Sequence, residues 1–568
     1  MLRRYSLYAS TVLLVACVGC SSDEALSGDA GADGPVVGDG GSDASGDAAP
    51  APAPGCPTVG SDVDVTQALP QATVDTSLPV LGGKVTRLKT GENLQAAIDA
   101  AQFGDTIELE AGAVFKGPID LPTKSGSGWI VIRTSTPDEQ FAKPGTRVSP
   151  ALGPKMARIE GKGGYVVATA KGAHHYRLIG LEITAEAGQD VTALVSFGTT
   201  TTSETDLPHD LIVDRSYLHA DAIGGRRGVA LNARSAAVVD SYLAGFREKA
   251  ADSQAIAGWG GSGPFRIVNN YLEAASENVM FGGSDPSIAN LVPSDIQICG
   301  NYLRKDPAWK GAGWVMKNLF ELKDTRRVLV AGNVFENSYA DAQVGFGILF
   351  TVRNQDGSAP WSTVEDITFA YNIVRHVGSG LNISASDDGN PSQETARVLV
   401  VNNLFDDLNP GVYGGDGRAY QFIYGGGKGK LIKIDHNTTT TALNAAMALG
   451  DTAKYGTSFF FTNNVVARGQ YGVFGSGQGE GKAPLDFFLT SYVMTKNAIF
   501  GDVTTAPAYP AGNFVPTTLA DVGFANPGAG DYALGPSSKY QGAGTDGKNL
   551  GADFVGLKAA TATAMSGK

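Results

Sequence analysis

Two short segments hold the side chains whose types and spacing could do chemistry. NLFELKD (318–324) puts Phe320 and Leu322 on one parity of an extended strand, and Glu321 and Lys323 on the other. GILFTVRNQ (347–355) repeats the pattern, with Ile348, Phe350 and Val352 inward and Thr351 and Arg353 outward. The earlier SENVMFGG (276–283) opens with Glu277 and Asn278. The later GLNISASDDG (380–389) turns Asn382, Ser384 and Ser386 outward and ends in Asp387-Asp388. From Arg304 to Arg327, seven basic residues face three acidic ones, a +4 segment in a chain of net charge −13 that suggests an anionic ligand. Trp309, Trp314 and Trp361 flank the same segments and offer faces on which sugar rings stack; Lys317, Asn382 and Arg375 are the polar groups expected to bind beside them.

The elements that must position these side chains come from a repeat. Segments ending in a polar residue followed by an apolar pair recur with that residue at Ser216, Ser241, Asn270, Asn301, Asn333, Asn372, Asn403, Asn437, Asn464 and Asn497, spaced 25 to 39 residues apart. Each unit reads as a short β-branched strand, a polar turn, a second strand, a variable loop and a third strand. Short strands at this density, without helix-period segments between them, predict a parallel solenoid of about ten coils. The asparagine is expected to take the left-handed conformation itself, and coils about 4.8 Å apart would let the amides stack as a ladder. Lys323 lies 22 residues beyond Asn301 and Arg353 lies 20 beyond Asn333, so the two should be near neighbours on adjacent rungs.

The rest of the chain sets the boundaries. Arg3 and Arg4 precede an apolar stretch, and Leu14-Val15-Ala16-Cys17 fits a lipobox, so residues 1–16 read as a lipoprotein signal peptide with Cys17, or else Cys20, acylated. Residues 17–55 are Gly, Ala, Asp, Ser and Pro, a flexible tether. The solenoid is assigned to 56–510 and an extended tail packing on it to 511–568. Leu94, Ala97, Ile98 and Ala101 have helical spacing, and a helix there would plug the open first coil. Net charge −13 argues against nucleic acid, and the membrane is met only through the lipid anchor. The expected location is therefore the outer membrane, cell surface or periplasm, as a monomer. Cys56 and Cys299 are too few for a disulfide framework, and the sequence leaves open whether they meet. His174-His175 and His376 show no metal-ligand spacing and read as structural.

A capping helix followed by asparagine-turn coils resembles the pectin-lyase-like right-handed parallel β-helix proteins over roughly residues 80–500, and GTDGKNLGADF (544–554) resembles the tail that often closes them. LQAAIDAAQFGDTIEL and the order of Lys323 and Arg353 further resemble the alginate lyase and chondroitinase B family of polysaccharide lyases. The chain departs from that family at FGGSD (281–285), where the family carries a lysine-containing strand end.

This resemblance implies β-elimination on an acidic, uronate-containing polysaccharide. Lys323 would be the base, Arg353 its electrophilic partner and Glu321 a supporting carboxylate. Calcium held by Glu277, Asn278 and Glu321 would neutralise the uronate, with no organic cofactor. Two other classes stay open: a glycoside hydrolase using Asp387 and Asp388 as its acid pair, and a non-catalytic surface protein that binds glycans.

Overall fold

β-branched and aromatic residues alternate along nearly every strand, and each strand buries one parity. Val328 and Val330, Ile348 and Phe350, Ile367 and Phe369 are all at most 1% exposed. A computed structural model of the chain describes residues 55–59, 67–198, 200–423, 429–449, 456–502 and 509–567. The signal peptide, Cys17, Cys20 and the tether as far as residue 54 lie outside the described residues.

The chain is a right-handed parallel β-helix. Among the described residues its strands form three long sheets of 14, 13 and 13 strands, with a separate two-stranded hairpin near the C-terminus. One coil shows the order. Ser294–Cys299 lies in the first sheet, Asn301 makes the turn, Tyr302–Arg304 lies in the second sheet, a loop follows, and Phe320–Leu322 lies in the third. The corner Lys323-Asp324 then leads back to the first sheet at Thr325–Ala331. The sheets begin three coils before Ser216, so the solenoid extends past the ladder at its N-terminal end.

The ladder forms as expected and gains a rung. From Asn270 to Asn497 each Nδ2 donates to Oδ1 of the next asparagine at 2.9–3.1 Å, and the series ends on Asn513. Each backbone N–H donates to that same oxygen, as from Asn333 to Asn372 at 2.9 Å. The left-handed residue is not the asparagine, however, but the one before it: Tyr371 (φ 54°), Asn402 (55°), His436 (49°), Asn463 (59°) and Lys496 (58°). That frees the asparagine side chain to point inward along the axis. At two coils the preceding residue is Gly300 or Gly332, where a Cβ would meet Thr563 Oγ1 at 2.7 Å or Ala560 O at 2.5 Å.

Those last contacts come from a helix, Phe554–Ser566, inside the region expected to be an extended tail. Asp553 caps it by accepting from Val555 N and Gly556 N, and Phe554, Leu557, Thr561 and Ala564 form its buried stripe. The expected cap helix is present as Leu94–Ala100, with Asn93 as its N-cap and Leu94 and Ile98 buried. Residues 67–77 cross the outer face of the first sheet against the order of the coils: Gln67 bonds Thr368, Thr73 bonds Gln297, and Arg177 donates to Ser77 O. Cys56 and Cys299 are joined by a disulfide beneath this strap. Among the described residues no helix is long and apolar enough to cross a membrane.

Candidate functional site

The outer face of the third sheet is the one that the polar residues of the two opening segments share. Register aligns Met280, Glu321, Leu349, Asn382 and Gln421 in one outward file. Leu322 pairs with Phe350, so Lys323 stands beside Thr351 and Arg353 lies two residues further on. The two cations are neighbours nonetheless, because Arg353 N donates to Lys323 O at 2.9 Å.

Glu321 is almost completely buried. It accepts from Asn318 Nδ2 at 2.9 Å and Thr351 Oγ1 at 3.2 Å, and Lys323 Nζ lies 3.6 Å away. Glu277, fully buried one coil earlier, accepts from Gln254 Nε2 at 2.8 Å, and Gln254 in turn accepts from Arg227 at 2.8 Å. Burial pushes the Glu277 carboxyl above its ordinary range, and the charge of Glu321 adds to this, against the pull of Lys317. Lys317 bonds Asp252 and faces Glu277 Oε1 at 3.5 Å. Burial works against the Lys317 ammonium, but Glu277, Asp252 and Glu321 outweigh it and hold this lysine above its ordinary range, as a fixed cation.

Several expected site residues stand elsewhere. Asn278 is not beside Glu277 as a metal ligand: its Nδ2 donates to Leu272 O and Arg304 O, and its Oδ1 accepts from Lys305 Nζ at 3.2 Å. Lys305 is fully buried, its ammonium shared among Asn278, Ala274 O, Ser276 O and Asn318 O. For a hard cation the oxygens that remain are the carboxylates of Glu277 and Glu321. Glu277 Oε1 accepts no hydrogen bond among the described residues but faces the Lys317 ammonium at 3.5 Å, and Glu321 Oε1 faces Lys323 at 3.6 Å, so an ion there would have to take these oxygens from the two lysines.

Arg375 lies on the second sheet in a ladder of charges, paired with Glu336 at 3.2 Å. Trp309 is packed against Ala275, Met316 and Tyr339, and the Arg247 guanidinium lies over it. Trp314 is covered by Arg247 and Lys249, each 5.0 Å from its ring. Trp361 donates to Leu291 O at 3.0 Å and lines a cleft with Arg326, Glu365 and Arg397 on the first-sheet side. Asn382 stays on the third-sheet face, accepting from Gln421 at 3.0 Å.

The +4 segment does not form one patch. Arg304 lies on the second sheet, Lys305 in the interior, Lys317 and Lys323 at the third sheet, and Arg326 and Arg327 on the first, bonded to Ser294 and Asp295.

Asp387 and Asp388 both bind Nη1 of Arg353. Burial would raise Asp387, but the N–H groups of Gly389 and Asn354 and the Arg353 guanidinium outweigh it and hold this carboxyl below the usual range. An ionised aspartate in that position is poorly suited to be the proton donor of a glycosidase pair.

Arg227 and Gln254, of which sequence reasoning missed the second, continue the register line of Glu277 towards the N-terminus, three residues before that of Glu321. They stand 11 and 13 residues after their ladder serines, whereas Glu277 stands 7 after Asn270, so no fixed offset marks them.

No known protein family matches the chain, and no curated protein does. Solved structures with a similar course include the PL6 family alginate lyase AlyGC, at 14% identity and TM-score 0.49, covering 83% of this chain. This chain spans 57% of that protein's length. A mannuronic acid specific family 6 lyase from human gut microbiota matches at 13% identity and TM-score 0.33, over 77% of this chain and 84% of its own. Pectate lyase Pel9A matches at 12% identity and TM-score 0.30, over 83% and 96%. At these identities and scores the likenesses assign no activity to the chain, and the fold rests on the pairing of its own sheets.

Proposed function

We propose that the chain cleaves an acidic, uronate-containing polysaccharide by β-elimination on the outer face of the third sheet. One observation carries this reading. Two partly exposed basic residues, Lys323 (14% of its side chain) and Arg353 (31%), follow consecutive strands of the sheet, Lys323 3.6 Å from the buried carboxylate of Glu321.

A uronate carboxylate would bind Arg353 by displacing Asp388, whose side chain is 76% exposed. Neutralising that carboxylate makes the C5 proton acidic. Lys323, in its amine form, takes the proton; the C5 electron pair forms the C4=C5 bond, the C4–O bond breaks, and the departing oxygen takes a proton from solvent water. Glu321, Asn318 and Thr351 orient Lys323 and its strand. Calcium held by Glu277 and Glu321 would add positive charge at the carboxylate. The lipobox at Cys17 makes the enzyme an exported one, meeting its polymer outside the cytoplasm.

The test is incubation with alginate, pectate, chondroitin and hyaluronan, with calcium and then with chelator, following the ultraviolet absorbance of the C4=C5 bond. The expected signal falls by about 10²–10⁴-fold in Lys323→Ala. New reducing ends without absorbance would replace elimination by hydrolysis. Binding without either product would make the chain a glycan-binding module.

A further inference from the structure

A second constellation lies on the first sheet, among coils that precede the groove. His174 and His209 begin consecutive strands and are register partners, with their rings stacked 4.8 Å apart and 1° from parallel. The next residue on each strand, His175 (φ 58°) and Asp210 (φ 53°), has left-handed backbone. An ordinary strand would send consecutive side chains to opposite faces. The left-handed residue turns its side chain back, so both neighbours on each strand face one space.

The donor atoms then converge. His174 Nδ1 and His175 Nδ1 are 2.9 Å apart, His209 Nδ1 is 2.7 Å from Asp210 Oδ2, and His175 Nδ1 is 3.7 Å from that oxygen. The three imidazole donors lie within 4.8 Å of one another. Ligands about 2.0–2.1 Å from a tetrahedral ion stand roughly 3.3 Å from each other, and these separations bracket that value.

Protons narrow the chemistry. His174 Nε2 lies 3.0 Å from Lys124 O, which can only accept, so that nitrogen carries the hydrogen of the neutral ring and Nδ1 presents a lone pair towards His175. Asp210 Oδ1 accepts from Ser235 Oγ at 3.0 Å. A ring N–H on a backbone carbonyl and a hydroxyl on the far carboxylate oxygen are the supports that orient metal ligands. Phe103 stacks on His174 and Trp129 sits edge-on to His175, each about 5 Å away, walling the space.

The geometry points to a divalent transition-metal site formed by His174, His175, His209 and Asp210, whose three imidazoles and one carboxylate suit tetrahedral Zn²⁺. Such an ion would tie two coils to the segment that carries Lys124 and Trp129 at the N-terminal end of the solenoid. The other three histidines of the chain lack a second imidazole: His219 meets Glu182, His376 meets Asp407 and His436 meets Asp546.

The test titrates the metal-stripped full chain with Zn²⁺, reading bound metal per chain and the unfolding temperature. The expected result is one ion per chain and an unfolding temperature that climbs with zinc concentration. His174→Gln with His209→Gln should weaken zinc binding by more than about 100-fold, beyond the loss of an orienting partner, while His376→Gln leaves it unchanged. Asp210→Asn provides a milder second variant, and Co²⁺ in the wild-type chain should give the intense visible bands of tetrahedral coordination. Zinc bound equally well by the double variant, or an octahedral Co²⁺ spectrum, would overturn the site.

Discussion

The first and third sheets are built by the same coils and share one interior, yet their outer faces have opposite fates. On the first sheet the outward residues Ile212, Ala237 and Leu329 are interspersed with Arg266, Gln297 and Thr368, and the N-terminal strap covers both kinds, with Leu69, Val74 and Cys56 over the apolar ones and hydrogen bonds from Gln67 and Thr73 to the polar ones. On the third sheet the outward file holds Glu321, Asn382 and Gln421 among Met280 and Leu349, with Glu277, Gln254 and Arg227 in a second line three residues earlier, and no strap crosses it among the described residues. The difference teaches how to read a solenoid. Several apolar residues on an outer face announce a segment of the chain that will cover them, and a line of charged and polar residues between loops announces a surface left for something else.

The comparison breaks most readily at the corner that joins the two sheets, Lys323-Asp324. Asp324 is 2% exposed, and burial pushes its carboxyl from the ordinary 3.8 up to about 7. A raised acid stabilises the fold fully below its unfolded value, and that contribution is lost as pH climbs from about 4 to about 7. Roughly three units at about 1.4 kcal/mol each give a loss on the order of 4 kcal/mol. Asp324→Asn should therefore flatten the fall in unfolding temperature between pH 4 and pH 8; parallel curves for variant and wild type would remove Asp324 as its source.

The strap offers the next test. The Cys56–Cys299 bridge spans 243 residues of sequence. Cys56→Ser should cost about 2–4 kcal/mol in denaturant unfolding and leave uronan cleavage by the folded protein intact. Cleavage lost in a folded variant would mean that the two faces are coupled. The smallest effect belongs to the second sheet. Arg375→Ala removes a partly buried single-bond pair with Glu336 and should cost about 1 kcal/mol, with turnover unchanged. A large drop in turnover would carry the groove onto that sheet.

The fold was legible because its signal is repeated. The ladder asparagines recur at every coil from Asn270 to Asn497, and a stacked amide needs the same residue type each time. The left-handed residue before them was misassigned because its identity varies, from Tyr371 to Lys496, the backbone turn being set by the asparagine that follows. The C-terminal helix escaped notice because FVGLKAATATAMS buries small residues such as Thr561 and Ala564 that give little periodic contrast. At the site, the closeness of Lys323 and Arg353 followed from ladder spacing. Asn278 and Arg375 did not, because side-chain direction next to a turn and assignment to a sheet depend on loop lengths. The linear +4 run misled for the same reason, since neighbours in sequence are spread around the coil. The histidine cluster had a usable sign: His209 stands 7 residues before Ser216, and His174 stands 7 before Leu181, whose N–H bonds the Ser216 hydroxyl.

The stacked amides also act as a ruler. From Asn270 to Asn497 every rung is tied to the next through both its backbone and its side chain, so residues added between two rungs cannot lengthen the axis and must leave sideways. Segments of 27 to 39 residues between these rungs thus fit the same axial step, and the surplus stands out as loops, as in the loop that carries Trp314 beside Lys317. The height of the loops beside the third sheet is written in chain length, and a deletion between rungs would lower them without touching a residue of the sheet.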